Sequence, residues 1–433
     1  MSASYTQALV SEPRAQPRQA LERVLARRLL PIVLGGLLTL RVLLDRLSAP
    51  DSRHTASFGV SGAIAALFGA LALAMLARTR SARRLTALVG AFLVAFTALA
   101  LLSRGAHAAT LREGIREGSV LALAAVVVSA RTILTARVAA RLVQLAGLLA
   151  ALEALHQRLA GTGMLVGGAI RANGTFAHPN SAAMFFALGA SASLWLFLDR
   201  RGTLDALATC LYTLALLTTF SIDGLVTLIA MLLLLALLSG PGRLQRLAPC
   251  ALAALAAVAF VASPLGSQRI ARESGTRLSA ASPGSSNSSL SWRLYKWRTL
   301  VREWEGSPLL GKGLGSTTAE QESLAEPITA ALPHNEYVRY LVETGLLGLL
   351  LLAAAVVALI RRLRVLRAAT PTVRRGAELA LVVLTGCLVN SLADNTLLNS
   401  PTCYAAALVL AAGAASHPRS RWKSDGAGGT VRP

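Results

Sequence analysis

Charged residues are scarce in this sequence. Only 15% of its 433 residues are Asp, Glu, Lys or Arg, while 54% are hydrophobic and the mean hydropathy is +0.57. So low a charge content excludes an ordinary soluble globular domain, in which about a quarter of the residues are charged. The composition predicts a polytopic membrane protein.

Cysteine is also scarce, and the four cysteines show no metal-ligand spacing. Cys210, Cys250, Cys387 and Cys403 all lie in or beside apolar stretches, where cysteine behaves as a small hydrophobic residue. This pattern argues against a cysteine-based metal site, and we expect neither a metal nor another cofactor.

Acidic residues are few as well. The chain has 21 Asp and Glu against 43 Lys and Arg, which gives a net charge of +22. The basic residues are spread over many short segments between apolar stretches rather than gathered on one surface. Nucleic acid is therefore not an expected partner.

Long apolar runs dominate what is present. A helix needs about 20 mainly apolar residues to cross the bilayer, and the runs predict about 12 such helices. They lie near residues 29–44, 59–77, 85–103, 119–135, 138–155, 180–198, 203–220, 224–239, 247–263, 338–360, 376–393 and 401–416. We therefore predict an all-α polytopic membrane protein with one long outer loop, residues 264–334, that contains short amphipathic helices.

The placement of lysine and arginine indicates the orientation, because these residues accumulate in cytoplasmic loops. With the N-terminus inside, the predicted cytoplasmic segments hold far more basic residues than the short outer segments. We predict a multi-pass protein of the cytoplasmic (inner) membrane with an extracytoplasmic loop at 264–334. Cytoplasmic tails occupy 1–28 and 417–433, and membrane helices occupy 29–263 and 335–416.

The long loop contains a clear amphipathic pattern. Apolar residues recur on one helical face at Leu290, Leu294, Trp297, Val301 and Trp304. Arg293 and Arg298 lie at the two edges of that face. Tryptophan with flanking arginine is typical of a helix in the lipid headgroup layer.

His334 lies where this loop meets the next predicted helix, and it is the strongest candidate for catalysis. A histidine needs only a small environmental shift to act as a general base near neutral pH. Pro333 restrains the backbone before it, and Asn335 can cap the following helix. The alternative for a single outer histidine is a solvated or capping residue. Asn335 and Arg339 are further substrate-binding candidates. The alternative role of Arg339 is a helix-stabilising ion pair with Glu343.

A second polar cluster, residues 171–180, lies between two predicted helices, on the same outer face as His334. Its glycine and proline shape a tight loop, and Asn180 is placed to cap the next helix. A purely structural turn would not need Arg171 or His178. Functional and structural roles are therefore both open for this segment.

Several arginines of the outer face need partners. Planar guanidinium groups match a diphosphate or an anionic glycan, so we predict that Arg171, Arg293 and Arg298 bind substrate. Contact with lipid headgroups is the alternative. Asp223 and Asp394 lie at outer helix ends, where helix capping is the expected role.

Four stretches of the sequence resemble the O-antigen ligase and polysaccharide polymerase superfamily, the Wzy/WaaL-like group. They are Gly174-Thr175-Phe176 through His178-Pro179-Asn180, Trp292-Arg293 through Trp297, Pro308 through Gly315, and Pro333-His334-Asn335-Glu336-Tyr337 through Gly348. The last stretch is the most specific, and the resemblance spans roughly residues 165 to 400.

The resemblance implies a metal-independent glycosyltransferase outside the cytoplasmic membrane. Such enzymes move a glycan from an undecaprenyl diphosphate carrier to an acceptor hydroxyl, which belongs to lipid A-core in ligases and to another carrier-linked glycan in polymerases. His334 would then orient or deprotonate the acceptor hydroxyl, while Arg171 and Arg293 would hold the diphosphate. A chain-length regulator is a partner that the resemblance leaves open.

The sequence departs from the family at one turn. Many relatives carry a Ser-Arg-Gly-like turn where this chain has Ser221-Ile222-Asp223-Gly224. Either another basic residue supplies that contact or the donor differs. Two other functions stay open: a solute transporter of the same superfamily, and a membrane protein whose loop only binds a partner. Transport predicts ionisable groups near the bilayer midplane, whereas the polar groups predicted here lie at the outer rim.

Overall fold

The computed structural model describes residues 17–46, 62–71, 108–166, 168–240, 242–274, 289–317 and 332–416, and these are almost entirely helical. The helices are α1 (Pro17–Leu43), α2 (Gly62–Leu71), α3 (Ala108–Ser129), α4 (Ala136–Ala146), α5 (Leu148–Leu159), α6 (Pro179–Arg200), α7 (Thr203–Thr218), α8 (Ile222–Leu238), α9 (Arg243–Ala262), α10 (Pro264–Ser274), α11 (Ser289–Trp304), α12 (Glu336–Arg367), α13 (Pro371–Asn390) and α14 (Ser400–Ala415). A short 3-10 turn, Thr396–Leu398, precedes α14.

Among the described residues, four helical segments are long and apolar enough to cross a membrane. They are Ala136–Leu159, Pro179–Arg200, Arg243–Ala262 and Glu336–Arg367. The shorter apolar helices α2, α7, α8 and α14 coincide with four more predicted spans. A helical membrane protein is confirmed, while the number of 12 spans stays a prediction. The predicted span at 85–103 lies outside the described residues, as does the predicted tail at 417–433.

Two features differ from the expected layout. Helix α1 already begins at Pro17, so the second half of the predicted 1–28 tail is helical, and residues 1–16 lie outside the described part. A small β-hairpin, β1 (Met164–Val166) and β2 (Ala169–Arg171), interrupts the all-α pattern, with Met164 opposite Arg171. Gly168 supplies the positive φ of 75° in its turn, which costs a glycine little.

Helix α6 lies at the centre of the described bundle, packed by α4, α7, α8, α13 and α14. Its alanine, phenylalanine and leucine residues are buried all round, as expected of a helix surrounded by others. His178 caps its first turn, Pro179 opens it, and Arg201 ends it in a left-handed conformation with φ 57°. The 171–180 segment therefore leads directly into α6 and lies next to the helices that pack around it.

Helix α12 is broken at Gly345, whose φ of 66° and ψ of −170° are not helical. Residues 308–313 run beside the break, and the Leu346 N–H donates to the Pro308 carbonyl at 2.9 Å. A Cβ atom on Gly345 would lie 2.2 Å from the Leu309 carbonyl oxygen, so this close approach requires glycine. The loop thus supplies partners for backbone groups that the break frees from the helix.

One end of the bundle gathers the candidate residues, and we term it the site end. Arg171 hydrogen-bonds both Asn180, at the start of α6, and the carbonyl of Thr219, just after α7. The backbone N–H of Glu336, which begins α12, donates to the Ser391 carbonyl after α13. Helix starts and helix ends therefore meet here, as in a bundle of helices of alternating direction.

The opposite end of the bundle is rich in arginine, and we term it the arginine end. Asp199, near the end of α6, pairs with Arg137 at 2.5 Å and with Arg375 at 3.8 Å. Asp205, at the start of α7, pairs with Arg141 at 2.5 Å. The two ends therefore differ in their charged side chains, and the catalytic candidates lie at the end away from these pairs.

Candidate functional site

His334 and Asp394 form a hydrogen-bonded pair between the turn before α12 and the turn after α13. His334 Nδ1 lies 2.8 Å from Asp394 Oδ1, and the side chains are only 14% and 9% exposed. A carboxylate can only accept, so Nδ1 carries the proton and the neutral ring keeps a lone pair on Nε2. His334 holds a φ of 49°, a left-handed conformation that costs roughly 1–2 kcal/mol. Such backbone strain persists only where the surroundings hold it.

Helix α11 holds the turn that carries His334. Trp297 Nε1 donates to the Pro333 carbonyl at 2.6 Å. The Trp292 ring lies edge-on to the His334 ring, with 6.1 Å between centroids. Trp292 and Trp297 therefore contact the histidine turn, whereas the sequence suggested that the tryptophans of this helix contact lipid headgroups.

Asn335 uses both ends of its amide to fix the same turn. Its Oδ1 accepts from the Val338 N–H at 3.0 Å and caps α12, as predicted. Its Nδ2 donates to the Leu392 carbonyl at 3.0 Å. These contacts tie the start of α12 to the turn that carries Asp394.

His178 lies beside His334 at the start of α6, with 6.3 Å between the ring centroids. Its Nδ1 accepts from the Asn180 N–H at 3.2 Å, so a neutral His178 carries its proton on Nε2. Burial, and then the positive charge of Arg171, lower the pKa of His178 to about 3. At neutral pH His178 is therefore an uncharged hydrogen-bond donor.

Arg171 ends β2 with its guanidinium group buried and bound to neutral oxygens. Its Nε donates to the Thr219 carbonyl at 2.6 Å and its Nη2 to Asn180 Oδ1 at 2.7 Å. Asn180 Oδ1 also accepts from the Ser221 hydroxyl at 3.2 Å. Burial, followed by the charge of Arg269, lowers the pKa of Arg171 to about 9. The group is thus fixed in direction without a carboxylate in hydrogen-bonding contact.

Asp223, Arg269 and Arg293 complete the cluster around Arg171. The Ser221 hydroxyl donates to Asp223 Oδ1 at 2.8 Å. Within the described residues, Asp223 Oδ2, Arg269 Nε and Arg293 Nε are buried atoms without a hydrogen-bond partner. Burial lowers the pKa of Arg269, against the charges of Glu273 and Asp223. We term Arg171, His178, Asn180, Asp223, Arg269, Arg293, His334 and Asp394 the His334 cluster.

Asp223, Asp394 and Arg269 are the members that the sequence did not identify as site residues. Asp394 was expected to cap a helix, and it instead pairs with His334. Burial raises the pKa of Asp394, but the hydrogen bond from His334 and the positive charge around it, including that of Arg293, outweigh burial and keep the pKa below its usual value. Arg269 is one of several arginines in the predicted outer loop. The sequence pointed to it only indirectly: many relatives carry an arginine where this chain has Ile222, so another basic residue had to supply that contact or the donor had to differ.

Two predicted substrate-binding residues lie apart from the cluster. Arg298 is exposed on α11, and five positions beyond Arg293 it points about 140° away around the helix. Arg339 is fully buried and pairs with Glu336 at 2.5 Å and Glu343 at 2.9 Å. Its ion pair with Glu343 is the alternative that the sequence offered, and it is present.

Carboxylates of α3 extend the surroundings of Arg339, and we term the group the Arg339 network. Arg339 lies 3.8 Å from Glu113 and 3.7 Å from Glu117, and the Tyr340 hydroxyl donates to Glu117 at 2.8 Å. The Thr317 hydroxyl donates to Glu343 at 2.5 Å. The network thereby joins α3, α12 and the loop before α12.

A family model described as O-antigen ligase matches residues 206–353, about a third of the chain. The predicted resemblance to O-antigen ligases is confirmed. No curated protein matches the chain. Within the His334 cluster, the O-antigen ligase match includes Asp223, Arg269, Arg293 and His334. The members outside it are Arg171, His178, Asn180 and Asp394. The fold therefore joins an O-antigen ligase-like region to residues on both sides of it.

Proposed function

We propose that this protein is a metal-independent glycosyltransferase at the outer face of the cytoplasmic (inner) membrane. It moves a glycan from an undecaprenyl diphosphate carrier to an acceptor hydroxyl, on lipid A-core in a ligase or on a growing polysaccharide in a polymerase. The observation that carries the proposal is the His334–Asp394 pair, which lies in one cluster with the buried guanidinium group of Arg171. The O-antigen ligase match over His334 supports the same chemistry.

The arginines of the arginine end support this orientation. Arg137, Arg141 and Arg375 belong to the arginine end, and arginine is enriched on the cytoplasmic side of membrane proteins. The site end then faces outward, and both termini are cytoplasmic. A carrier lipid in the outer leaflet can present its diphosphate at that level.

His334 is the proposed general base. Its Nε2 accepts the proton of the acceptor hydroxyl as that oxygen attacks the anomeric carbon of the donor glycan. Asp394 keeps the ring in the tautomer that leaves Nε2 free, and its negative charge stabilises the protonated ring. The bond between the anomeric carbon and the diphosphate oxygen breaks, and the undecaprenyl diphosphate leaves with the electron pair.

Arg171 and Arg293 are the proposed binding groups for the diphosphate. Because Arg171 is held by neutral oxygens, its positive charge is not cancelled by a bonded carboxylate and is directed by its two hydrogen bonds. Fixed donors of this kind stabilise charge that develops on a leaving group without reorganising during the reaction. An activated anomeric carbon with such a leaving group needs mainly positioning, a base and positive charge.

His178, Asn180 and Asn335 take supporting roles in this proposal. His178, uncharged at neutral pH, can donate from Nε2 to a glycan oxygen. Asn180 directs Arg171, and Asn335 fixes the turn of His334. Arg298 and Arg339 were also predicted to bind substrate, and we do not assign them a contact in the reaction.

The product of the reaction distinguishes a ligase from a polymerase and from a transporter. The purified protein is reconstituted in liposomes with an undecaprenyl diphosphate-linked oligosaccharide, with or without a lipid A-core acceptor. A ladder of longer glycans from the donor alone identifies a polymerase, and a single adduct on lipid A-core identifies a ligase. A transporter gives neither product and moves the glycan across the bilayer instead.

His334→Gln is expected to lower the transfer rate by about 10²- to 10⁴-fold, because the general base is lost. Asp394→Asn should lower the rate with little change in the KM for the donor. His156→Gln is the matched control, since His156 is a histidine of α5 with a side chain 70% exposed. Transfer by His334→Gln at the rate of the control would overturn the proposed role of His334.

A further inference from the structure

A cavity of about 290 Å³ lies next to the His334 cluster, on the far side of β2. Its walls come from the end of α5, from the β-hairpin and from α10, and they include Arg158, Ile170, Gln268 and Arg272. Side chains alternate between the two faces of a strand. Ile170 and Ala172 therefore face the cavity, while Arg171 between them faces Asn180.

Helix α10 forms a wall shared by the cavity and the His334 cluster. Gln268 and Arg272 line the cavity, and they lie about one helical turn apart on the same face. Arg269 follows Gln268 directly and acts electrostatically on Arg171 and Asp223. Neighbouring residues of α10 therefore line the cavity and act on the proposed diphosphate site.

The polar part of the cavity lining is positively charged. Arg158 and Arg272 contribute guanidinium groups, Thr162 contributes a hydroxyl and Gln268 an amide, and no carboxylate lines the cavity among the described residues. The Arg158 guanidinium lies 5.5 Å from the centre of the Phe220 ring. A stacked guanidinium loses less freedom when it binds an anion.

Gln157 lines the cavity, and hydrogen bonds hold this part of the cavity wall rigidly in place. It is 3% exposed, and its Oε1 accepts from the backbone N–H groups of Asn173 and Gly174, both at 2.9 Å. Its Nε2 donates to the Gly174 carbonyl at 2.9 Å. The cavity is therefore backed by a satisfied hydrogen-bond network, and it has the size and mixed lining of a small-ligand site, near the lower end of the usual range.

We propose that this cavity binds a negatively charged sugar of the substrate glycan, such as a uronic acid or a phosphate-bearing residue. The inference rests on the proposed function, because it places the glycan beside the site that holds its diphosphate. Guanidinium groups recognise carboxylate and phosphate through paired hydrogen bonds, and a neutral sugar lacks that partner. The cavity thus gives the enzyme a preference for acidic glycans.

The test is a binding titration of the purified full-length protein with three probes. They are undecaprenyl diphosphate alone, the same lipid linked to a neutral disaccharide, and the same lipid linked to a glucuronate-containing disaccharide. Arg272→Gln removes a guanidinium of the lining, and Ala169→Phe fills the cavity without changing charge. Arg302→Gln, an exposed arginine on α11, is the matched control.

Arg272→Gln is expected to weaken binding of the glucuronate probe by about tenfold or more and to leave undecaprenyl diphosphate unchanged. Ala169→Phe should weaken the glucuronate probe in the same selective way. Arg171→Gln should weaken all three probes. Equal binding of the neutral and acidic probes by the wild type, or no effect of either cavity variant, would overturn the inference.

Two other outcomes separate the inference from the proposed function. Failure of the wild type to bind undecaprenyl diphosphate would overturn the proposed function itself. Vesicles of anionic phospholipid serve as a fourth probe. If Arg272→Gln weakens vesicle binding but not glucuronate binding, the cavity holds a lipid headgroup and the inference is wrong.

Discussion

Arg171 and Arg339 are both buried arginines of the site end, yet they have opposite surroundings. Arg171 is 2% exposed and donates to two neutral oxygens. Arg339 is 0% exposed and lies between 2.5 and 3.8 Å from four carboxylates. The charge of Arg339 is therefore neutralised within the protein, while no carboxylate of the described residues forms a hydrogen bond or ion pair with Arg171.

This difference indicates whether a buried arginine binds substrate or stabilises the fold. Burying a charge without a counter-charge is costly, so a chain that does so usually gains something from a bound anion. A guanidinium group that is already paired with several carboxylates has little uncompensated charge with which to bind a diphosphate. We therefore assign Arg171 to substrate and Arg339 to the stability of the fold.

The comparison of Arg171 with Arg339 predicts its largest effect on the free energy of unfolding. Arg339→Met should lower the free energy of unfolding by about 3–5 kcal/mol, because removing one partner leaves the carboxylates of the Arg339 network buried and unpaired. Thermal unfolding in detergent measures it. Arg302→Met, on the exposed side of α11, is the control and should change stability by no more than about 0.5 kcal/mol. A stable Arg339→Met protein that no longer binds the donor would reverse the assignment.

A smaller effect is expected on binding at Arg171. Arg171→Gln should raise the KM for the donor by about 10- to 100-fold, since hydrogen bonds to a charged group contribute about 1.5–3 kcal/mol. The melting temperature should fall less than in Arg339→Met, because glutamine can still donate to one of the neutral oxygens. Arg171→Lys should recover part of the affinity through its charge. An Arg171→Gln protein that unfolds as readily as Arg339→Met would remove the contrast between the two arginines.

The smallest effect concerns His178, which is uncharged at neutral pH because it is buried and lies beside Arg171. Its pKa is about 3 in the folded protein, against an unfolded value of about 6.5, so the unfolded chain binds more protons between these values. Stability should therefore fall as the pH drops below about 6.5, by about 1.4 kcal/mol per pH unit from this residue.

His178→Asn removes the titrating group and keeps a residue that can cap α6. Melting temperatures at about pH 7.5 and about pH 5 should differ less in this variant than in the wild type. An equal difference in both proteins would mean that His178 is solvated rather than buried beside a positive charge.

Local patterns in the sequence selected segments that the fold brings together. Arg171, His178, Asn180, Arg293 and His334 were selected from two motifs and one amphipathic helix, and the fold gathers them in one cluster. Such segments are readable because turn residues, helix caps and periodicity are local signals. Their chemical roles remain predictions until the variants are measured.

Pairings between distant segments were not predictable in the same way. Asp394 lies 60 residues beyond His334, and only the packing of α12 against α13 joins them. Arg339 could not be distinguished from a substrate ligand, because Glu113 and Glu117 come from a helix far earlier in the chain. The β-hairpin was missed because three-residue strands carry too short a pattern to be recognised.

The break in α12 has a consequence for engineering. Gly311 and Gly345 approach so closely that a Cβ atom on Gly311 would lie 2.5 Å from the Gly345 nitrogen. The loop segment 308–315 and the helix segment 343–348 are therefore packed against each other as one unit, although they are separate in sequence. A chimera that imports the long loop from a relative should import both segments together, because either segment alone would meet an unmatched surface.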